Sequence, residues 1–293
     1  MLYKNKKPLL IFLIPGLVMM GIFLYYPFVK NVFNSFYDMS QVVRLPGSDW
    51  EFIGLKNYKT LFTDRYIRIA LKNSVIMMGL TVAIQVGLAL LFAILVSLIK
   101  RGQQFFRTVF FFPVVISASA IGLLFKLFYS YNGGMLNQIL GYFGMEPVNW
   151  LSKDLAFIMI SIPTLWSYVG FYFVIILTGI FDISEDVYEA ASIDGCSKFR
   201  SVFYITLPLL RGVLCTCVTL AVTGALKVFD LPWILAEKGA PNGITHFLGT
   251  YMYHTAFGKM NWDYGSTIAL FIVIVGIVIA RTVNVIIKPD ENL

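Results

Sequence analysis

Apolar residues gather into six runs along the 293-residue chain, at 8–29, 73–98, 109–129, 155–181, 209–229 and 266–287. A helix needs about 20 apolar residues to cross the hydrocarbon core of a bilayer, and each run reaches that length. Between Lys72 and Lys100, and again between Asp154 and Asp182, 27 consecutive residues carry no charge. No run alternates apolar and polar positions with a period of two, so the pattern predicts transmembrane helices and not the strands of a membrane barrel. Lys126 and Lys227 fall near one end of the third and fifth runs, where a long flexible stem lets an ammonium reach a headgroup or a water-filled cavity. The expected fold class is an all-α integral membrane protein. It consists of one transmembrane domain over 1–293 with six helices and a polar segment, 182–208, between the fourth and fifth.

Composition changes little in this picture. Of all residues 58% are hydrophobic and 13% charged, and the mean hydropathy is +0.76. A soluble domain carries roughly a quarter charged residues, so the surface of a soluble protein could not be covered. Lys4, Lys6 and Lys7 precede the first run in the manner of a signal peptide. That run is too long for a signal core and ends in Tyr25-Tyr26-Pro27-Phe28-Val29-Lys30 with no small-residue cleavage site, so it is expected to stay as an anchor.

The net charge of +7 and a pI near 9.2 would suggest nucleic acid in a soluble protein. In a membrane protein they are read as topology and contact with anionic membrane lipid, and no nucleic-acid partner is expected. Cys196, Cys215 and Cys217 make no disulfide framework. His246 and His254 lie between the fifth and sixth runs without a ligand cluster, so no metal site is expected.

Basic residues in short loops orient a membrane protein. Lys4, Lys6 and Lys7 before the first run, and Lys100, Arg101 and Arg107 between the second and third, have no acids among them. They put the N-terminus in the cytoplasm, and six spans return the C-terminus there. Lys30, Arg44, Lys56, Lys59, Arg65, Arg68 and Lys72 oppose this in a longer outer segment, where Asp38, Asp49, Glu51 and Asp64 are interspersed. The same parity makes 182–208 cytoplasmic, on the side where ATP is available.

Within 182–208, Ser184 is a candidate N-cap, and Glu185 and Asp186 follow in the first turn, where the helix dipole favours acid. A short helix to about Ile193 is expected, ended by Gly195 in the left-handed conformation, with Ser197 capping a second helix toward Tyr204. Leu207-Pro208 is expected to break the chain sharply before the fifth span, because proline disfavours a helical residue ahead of it.

Glu189-Ala190-Ala191-Ser192-Ile193-Asp194-Gly195-Cys196, followed after eight residues by Ile205-Thr206-Leu207-Pro208, resembles the E-A-A-x-x-D-G-A-x8-I-x-L-P loop of the membrane subunits of binding-protein-dependent ABC importers. Cys196 stands where that family has a small alanine. Similarity to the sugar-type branch, with its maltose and glycerol-phosphate permeases, extends through Phe52-Ile53-Gly54-Leu55-Lys56-Asn57-Tyr58, Phe105-Phe106-Arg107 and Phe229-Asp230-Leu231-Pro232-Trp233. Glu237-Lys238-Gly239-Ala240-Pro241 departs from the usual T-x-G-G-P.

The resemblance implies a permease subunit that moves a sugar or oligosaccharide into the cytoplasm across a bacterial cell (plasma or inner) membrane. It implies as partners an ABC ATPase dimer, a second permease subunit of similar fold, an extracytoplasmic solute-binding protein and the sugar substrate. Carried over residue by residue, Glu189 pairs with a basic residue in a cleft of the ATPase. Ala190 and Ala191 permit close approach, Gly195 forms the turn, and Asp194, Ile205, Leu207 and Pro208 complete the motif. Related branches carry other solutes, among them amino acids, glycerol phosphate and polyamines.

No G-x-x-x-x-G-K-[ST] occurs, since Gly258-Lys259 lacks the upstream glycine and the following hydroxyl. The chain is therefore expected to be no enzyme and to bind no cofactor itself, ATP and Mg being used by the partner ATPase. A secondary transporter would place acidic or His groups at mid-membrane, and the charges here are few and near span ends.

Sugar sites combine aromatic faces with amide and hydroxyl groups, and intramembrane polar groups usually face the interior of a bundle. The candidates for a substrate pathway are Asn73, Gln85, Trp166, Ser167, Tyr168, Thr223 and Lys227. Trp166 and Tyr168 also fit interfacial anchoring or packing. Lys227 either pairs with Asp230, three residues on and on the same helical face, or snorkels. Pro163 is expected to kink the fourth span and free a carbonyl.

Overall fold

The computed structural model describes residues 7–39, 50–99 and 101–286. Lys4, Lys6, Arg44, Asp49, Lys100 and the expected end of the last span at Ile287 lie outside the described residues. In chain order the elements are α1 (Ile11–Asn34), β1 (Tyr37–Asp38), β2 (Glu51–Phe52), α2 (Lys56–Thr63), α3 (Arg65–Ser97), α4 (Gln103–Val115), α5 (Ala118–Phe128), α6 (Met135–Tyr142), α7 (Ala156–Phe181), α8 (Glu185–Ile193), α9 (Lys198–Ser201), α10 (Arg211–Leu226), α11 (Asp230–Leu235), α12 (Leu248–Tyr253) and α13 (Trp262–Ile286). Five stretches are long and apolar enough to cross a membrane, and α4 with α5 makes a sixth if that bent pair counts as one span.

One predicted run is broken and another ends early. The single helix expected over 109–129 is two helices meeting at 88°. Ile116 and Ser117 are extended (ψ 137° and 140°), and the Ser117 side chain accepts the Ala120 N–H to start α5. An apolar run does not reveal such a corner, because apolar side chains suit either geometry. The fifth run ends as α10 at Leu226, and the chain turns through Lys227–Phe229 before α11. Lys227 and Asp230 therefore do not share a helix, which removes the helical spacing behind their expected ion pair. The second helix begins earlier than expected, at Arg65. Its 33 residues span about 50 Å at 1.5 Å per residue, so its basic first turns extend beyond a hydrocarbon core of about 30 Å.

The chain divides into two compact units. The first takes in Met1–Asp64 and Met252–Val273 and is held by polar pairs. Asn57 Nδ2 donates to Asp263 Oδ2 (2.8 Å), the Tyr264 hydroxyl donates to Asp64 Oδ2 (2.8 Å), and Ser266 Oγ donates to Asn31 Oδ1 (3.0 Å). Asn261 Oδ1 caps α13 by accepting the Tyr264 N–H (3.0 Å).

The second unit takes in Arg65–Tyr251 and Ile274–Leu293, and its core lies where α7 meets α3 and α4. Ala89, Ala93 and Val96 pack with Phe173, Ile176, Leu177 and Ile180. Small residues let membrane helices approach closely, and Gly170 is the extreme case, since a Cβ there would collide with the Phe110 carbonyl. Phe92 and Phe110 stack beside this contact at 4.8 Å. Asn73 Nδ2 donates to the carbonyls of Ile244 (2.8 Å) and His246 (2.9 Å), tying α3 to the segment before α12.

α7 runs through Pro163 as one helix of 26 residues. Proline cannot donate to the carbonyl four residues back, that of Met159, and the Tyr129 hydroxyl donates to it instead (3.0 Å). One turn on, Gln85 Nε2 donates to the carbonyls of Thr164 (3.0 Å) and Leu165 (3.1 Å).

Candidate functional sites: a helix-turn-helix loop and a cavity between helices

The segment 182–208 folds as a helix-turn-helix. Ser184 Oγ accepts the Asp186 N–H (3.3 Å) at the start of α8. At its end the Cys196 N–H reaches the Ala191 carbonyl (2.8 Å) and the Gly195 N–H the Ser192 carbonyl (3.1 Å). That pair of bonds is a Schellman cap, and it requires the left-handed residue that Gly195 supplies at φ +79°. Ser197 Oγ then accepts the Arg200 N–H (3.4 Å) and opens α9.

The chain does not break ahead of Pro208 as expected. Val202–Thr206 forms a π turn, in which the Leu207 N–H bonds Val202 five residues back, and Leu207 is helical. The wider turn shifts the hydrogen-bond ladder by one position, so the N–H that Pro208 lacks need not interrupt the helical path.

Tyr188 joins the two halves, its hydroxyl 3.0 Å from Thr206 Oγ1. Glu189, Ala190, Asp194 and Gly195 are exposed, while Ala191, Ile205, Leu207 and Pro208 are half-buried. Ile193 (86%), Tyr204 (78%), Phe199 (74%) and Phe203 (52%) expose large apolar surface in the same segment. The motif named the acid and the turn but not these four side chains, nor the Tyr188–Thr206 tie. Exposed aromatics at Phe199, Phe203 and Tyr204 within a polar loop were the available signal.

A cavity of about 380 Å³ lies among α3, α4, α5, α7, α10 and α11. A π turn at Thr81–Val86 in α3 brings Thr81 and Gln85 to its wall. α7 contributes Thr164, Ser167, Tyr168, Phe171 and Tyr172, a set at helical spacing that forms one stripe. The corner in the third run reaches the cavity through Ile116 and Ala118, and the turn after α10 reaches it through Lys227, Phe229 and Asp230.

The hydroxyls of Thr81, Thr164 and Ser167 donate to carbonyls of their own helices at Met78, Ile160 and Pro163. Of the pathway candidates, Gln85, Ser167, Tyr168 and Lys227 line the cavity, and Asn73, Trp166 and Thr223 do not. Asn73 has both amide hydrogens on backbone carbonyls. Trp166 faces the other side of α7 against Phe125, with ring centroids 6.0 Å apart. Thr223 Oγ1 bonds its own helix at Thr219 (2.7 Å). Polar residues within the spans satisfy themselves on backbone carbonyls both inside the cavity wall (Gln85, Ser167) and outside it (Asn73, Thr223), so the face of the helix each occupies is what separates the two groups.

Residues 87–291 match the family described as "Binding-protein-dependent transport system inner membrane component". The chain is 36% identical over 280 residues to the probable ABC transporter permease protein YurN of Bacillus subtilis, covering 94% of each. It is 30% identical over 262 residues to the arabinooligosaccharides transport system permease protein AraP of Halalkalibacterium halodurans, covering 88% of this chain and 80% of that one. In fold it resembles a chain of a bacterial ABC transporter involved in the import of the acidic polysaccharide alginate, with a TM-score of 0.84 at 22% identity over 99% and 98% of the two chains. A multi-pass helical chain with this loop and these relatives belongs to the family of binding-protein-dependent inner membrane components, as an ABC importer permease.

Proposed function

We propose that this permease moves a sugar or oligosaccharide into the cytoplasm, driven by ATP hydrolysis in a separate ATPase dimer that docks on 182–208. The carrying observation is the helix-turn-helix itself. It is braced by its own caps and by Tyr188, yet it leaves Ile193, Phe199, Phe203 and Tyr204 exposed beside Glu189 and Asp194. Apolar anchors next to a carboxylate suit a partner cleft that is apolar within and basic at its rim. In this reading Glu189 supplies the ion pair, Ala190 and Ala191 the close approach, and Gly195 the turn. Ile205, Leu207 and Pro208 pass the motion of α8 and α9 into α10. ATP and Mg act in the ATPase, and this chain has no catalytic part.

The cargo reading rests on the cavity and on the relative named for arabinooligosaccharides. Tyr168, Tyr172 and Phe229 offer ring faces, and Gln85 and the lining hydroxyls offer hydrogen-bonding edges, as a pyranose requires. Glycerol phosphate and polyamines are the alternative cargoes. A second permease of similar fold would complete the pathway, and an extracytoplasmic binding protein would deliver the solute. The N- and C-termini lie in the cytoplasm with the loop.

The test is affinity purification of the chain from native membranes in mild detergent, with co-purifying proteins identified and counted. A P-loop ATPase and a second permease should come with it. A chain that purifies alone and still moves solute in liposomes overturns the reading.

A further inference from the structure

We propose that Lys227 and Asp230 determine the charge selectivity of the cavity, holding its wall at zero net charge so that neutral hydroxylated solutes enter and net anions or cations are disfavoured. This rests on reading the cavity as the solute's path. Among its lining residues, Lys227 and Asp230 are the ammonium and the carboxylate, and the rest of the wall is uncharged. Both are exposed and line the same space.

Neither has an ion-pair partner among the described residues, and the backbone explains why. Lys227 (φ −99°, ψ 5°) ends α10, Phe229 (φ −142°, ψ −58°) turns the chain, and Asp230 opens α11. On a continuous helix the two would sit one turn apart and could neutralise each other. Beyond the turn α11 packs on α5, where Gly122 lets Ile234 come so close that a Cβ would lie 2.7 Å from Cγ2 of Ile234. Two opposite charges thus face the cavity separately instead of pairing.

The remaining polar wall agrees with this. Both Gln85 amide hydrogens are spent on α7 carbonyls, and the hydroxyls of Thr81, Thr164 and Ser167 donate within their own helices. What they leave for a solute are oxygen lone pairs, which accept from sugar hydroxyls and repel carboxylate or phosphate oxygens. A single uncompensated charge on the wall changes the local concentration of charged solutes in the cavity.

The test uses the full chain in membrane vesicles, with Cys196, Cys215 and Cys217 replaced by Ala and a thiol introduced by Tyr168→Cys. The probes are small thiosulfonate reagents, one anionic and one cationic, and the readout is the ratio of their reaction rates. In the parent that ratio should match the ratio measured on a free thiol in solution. Asp230→Asn should raise the anion-to-cation ratio by about tenfold or more, and Lys227→Gln should lower it by as much. The double variant should return to the parent value, which guards against a folding defect in either single variant. Single variants that stay within about twofold of the parent overturn the proposal while leaving the importer reading intact. A thiol that neither reagent reaches from either face of the membrane overturns the pathway reading, and the proposal with it.

Discussion

The hydroxyl of Tyr129 donates to the carbonyl oxygen of Met159 at 3.0 Å, and Met159 is the residue whose carbonyl Pro163 cannot serve. A side chain just past the end of α5 thereby repairs the backbone of α7 inside an apolar environment, where an unsatisfied carbonyl is costly. Tyr129→Phe should therefore destabilise the protein by about 1–3 kcal/mol. Pro163→Ala restores the helical N–H and should remove most of that penalty. Thermal unfolding of the two single variants and the double variant in detergent forms a cycle, and additive effects would refute the link.

Glu189→Lys should abolish uptake while the protein still inserts at normal levels. Glu189 is exposed, so the change strains nothing within the chain. It places a cation where the docked partner is expected to present one, and reversing a charge at an interface costs more than truncating it. Uptake by Glu189→Lys membranes, normalised to membrane level and compared with Glu189→Ala, checks the order.

Gly195 separates a backbone effect from a charge effect. It holds φ +79°, and an added Cβ would meet no heavy atom within 4 Å. The penalty for a side chain is then conformational, about 1–2 kcal/mol for an ordinary residue and least for Asn. Gly195→Asn should keep most coupling. Gly195→Asp should uncouple transport by adding charge beside Asp194, and Gly195→Val should fail through the turn itself. Solute-stimulated ATPase activity of the reconstituted importer ranks the three.

Gly170→Ala should be among the most damaging single-methyl additions in the chain, because its Cβ collides with the Phe110 backbone. Backbone cannot swing aside as a side chain can, so α4 must move off α7 at a cost of roughly 1–3 kcal/mol or more. Gly212→Ala meets nothing within 4 Å and should be tolerated. Melting temperatures of the two purified variants should differ by several degrees.

Much of the loop over 182–208 was legible because its signals are local. Ser184, Gly195 and Ser197 act within three residues of themselves, so cap, turn and second cap can be read without knowing what surrounds them. The cavity was legible only in part. Gln85, Ser167, Tyr168 and Lys227 reach it and Asn73 and Thr223 do not, although Gln85 and Ser167 bond backbone carbonyls just as Asn73 and Thr223 do, and sequence spacing does not distinguish the two outcomes.

By itself, the sequence determined that this is a helical membrane protein and where its apolar runs lie, because a bilayer demands about 20 apolar residues per span and satisfied backbone within each. It also determined the helix-turn-helix over 182–208, through residues whose conformational preferences do not depend on the rest of the fold. Only the tertiary structure decided that the third run breaks and that the helix of the fifth ends at Leu226 before a turn into α11. The corner at Ile116–Ser117 and the turn through Lys227–Phe229 bring α5 and α11 together at Gly122 and Ile234, residues more than a hundred positions apart. An apolar side chain is equally content in a straight span or a bent one, so the choice falls to packing between distant helices. That choice also leaves Lys227 and Asp230 facing one cavity as separate charges.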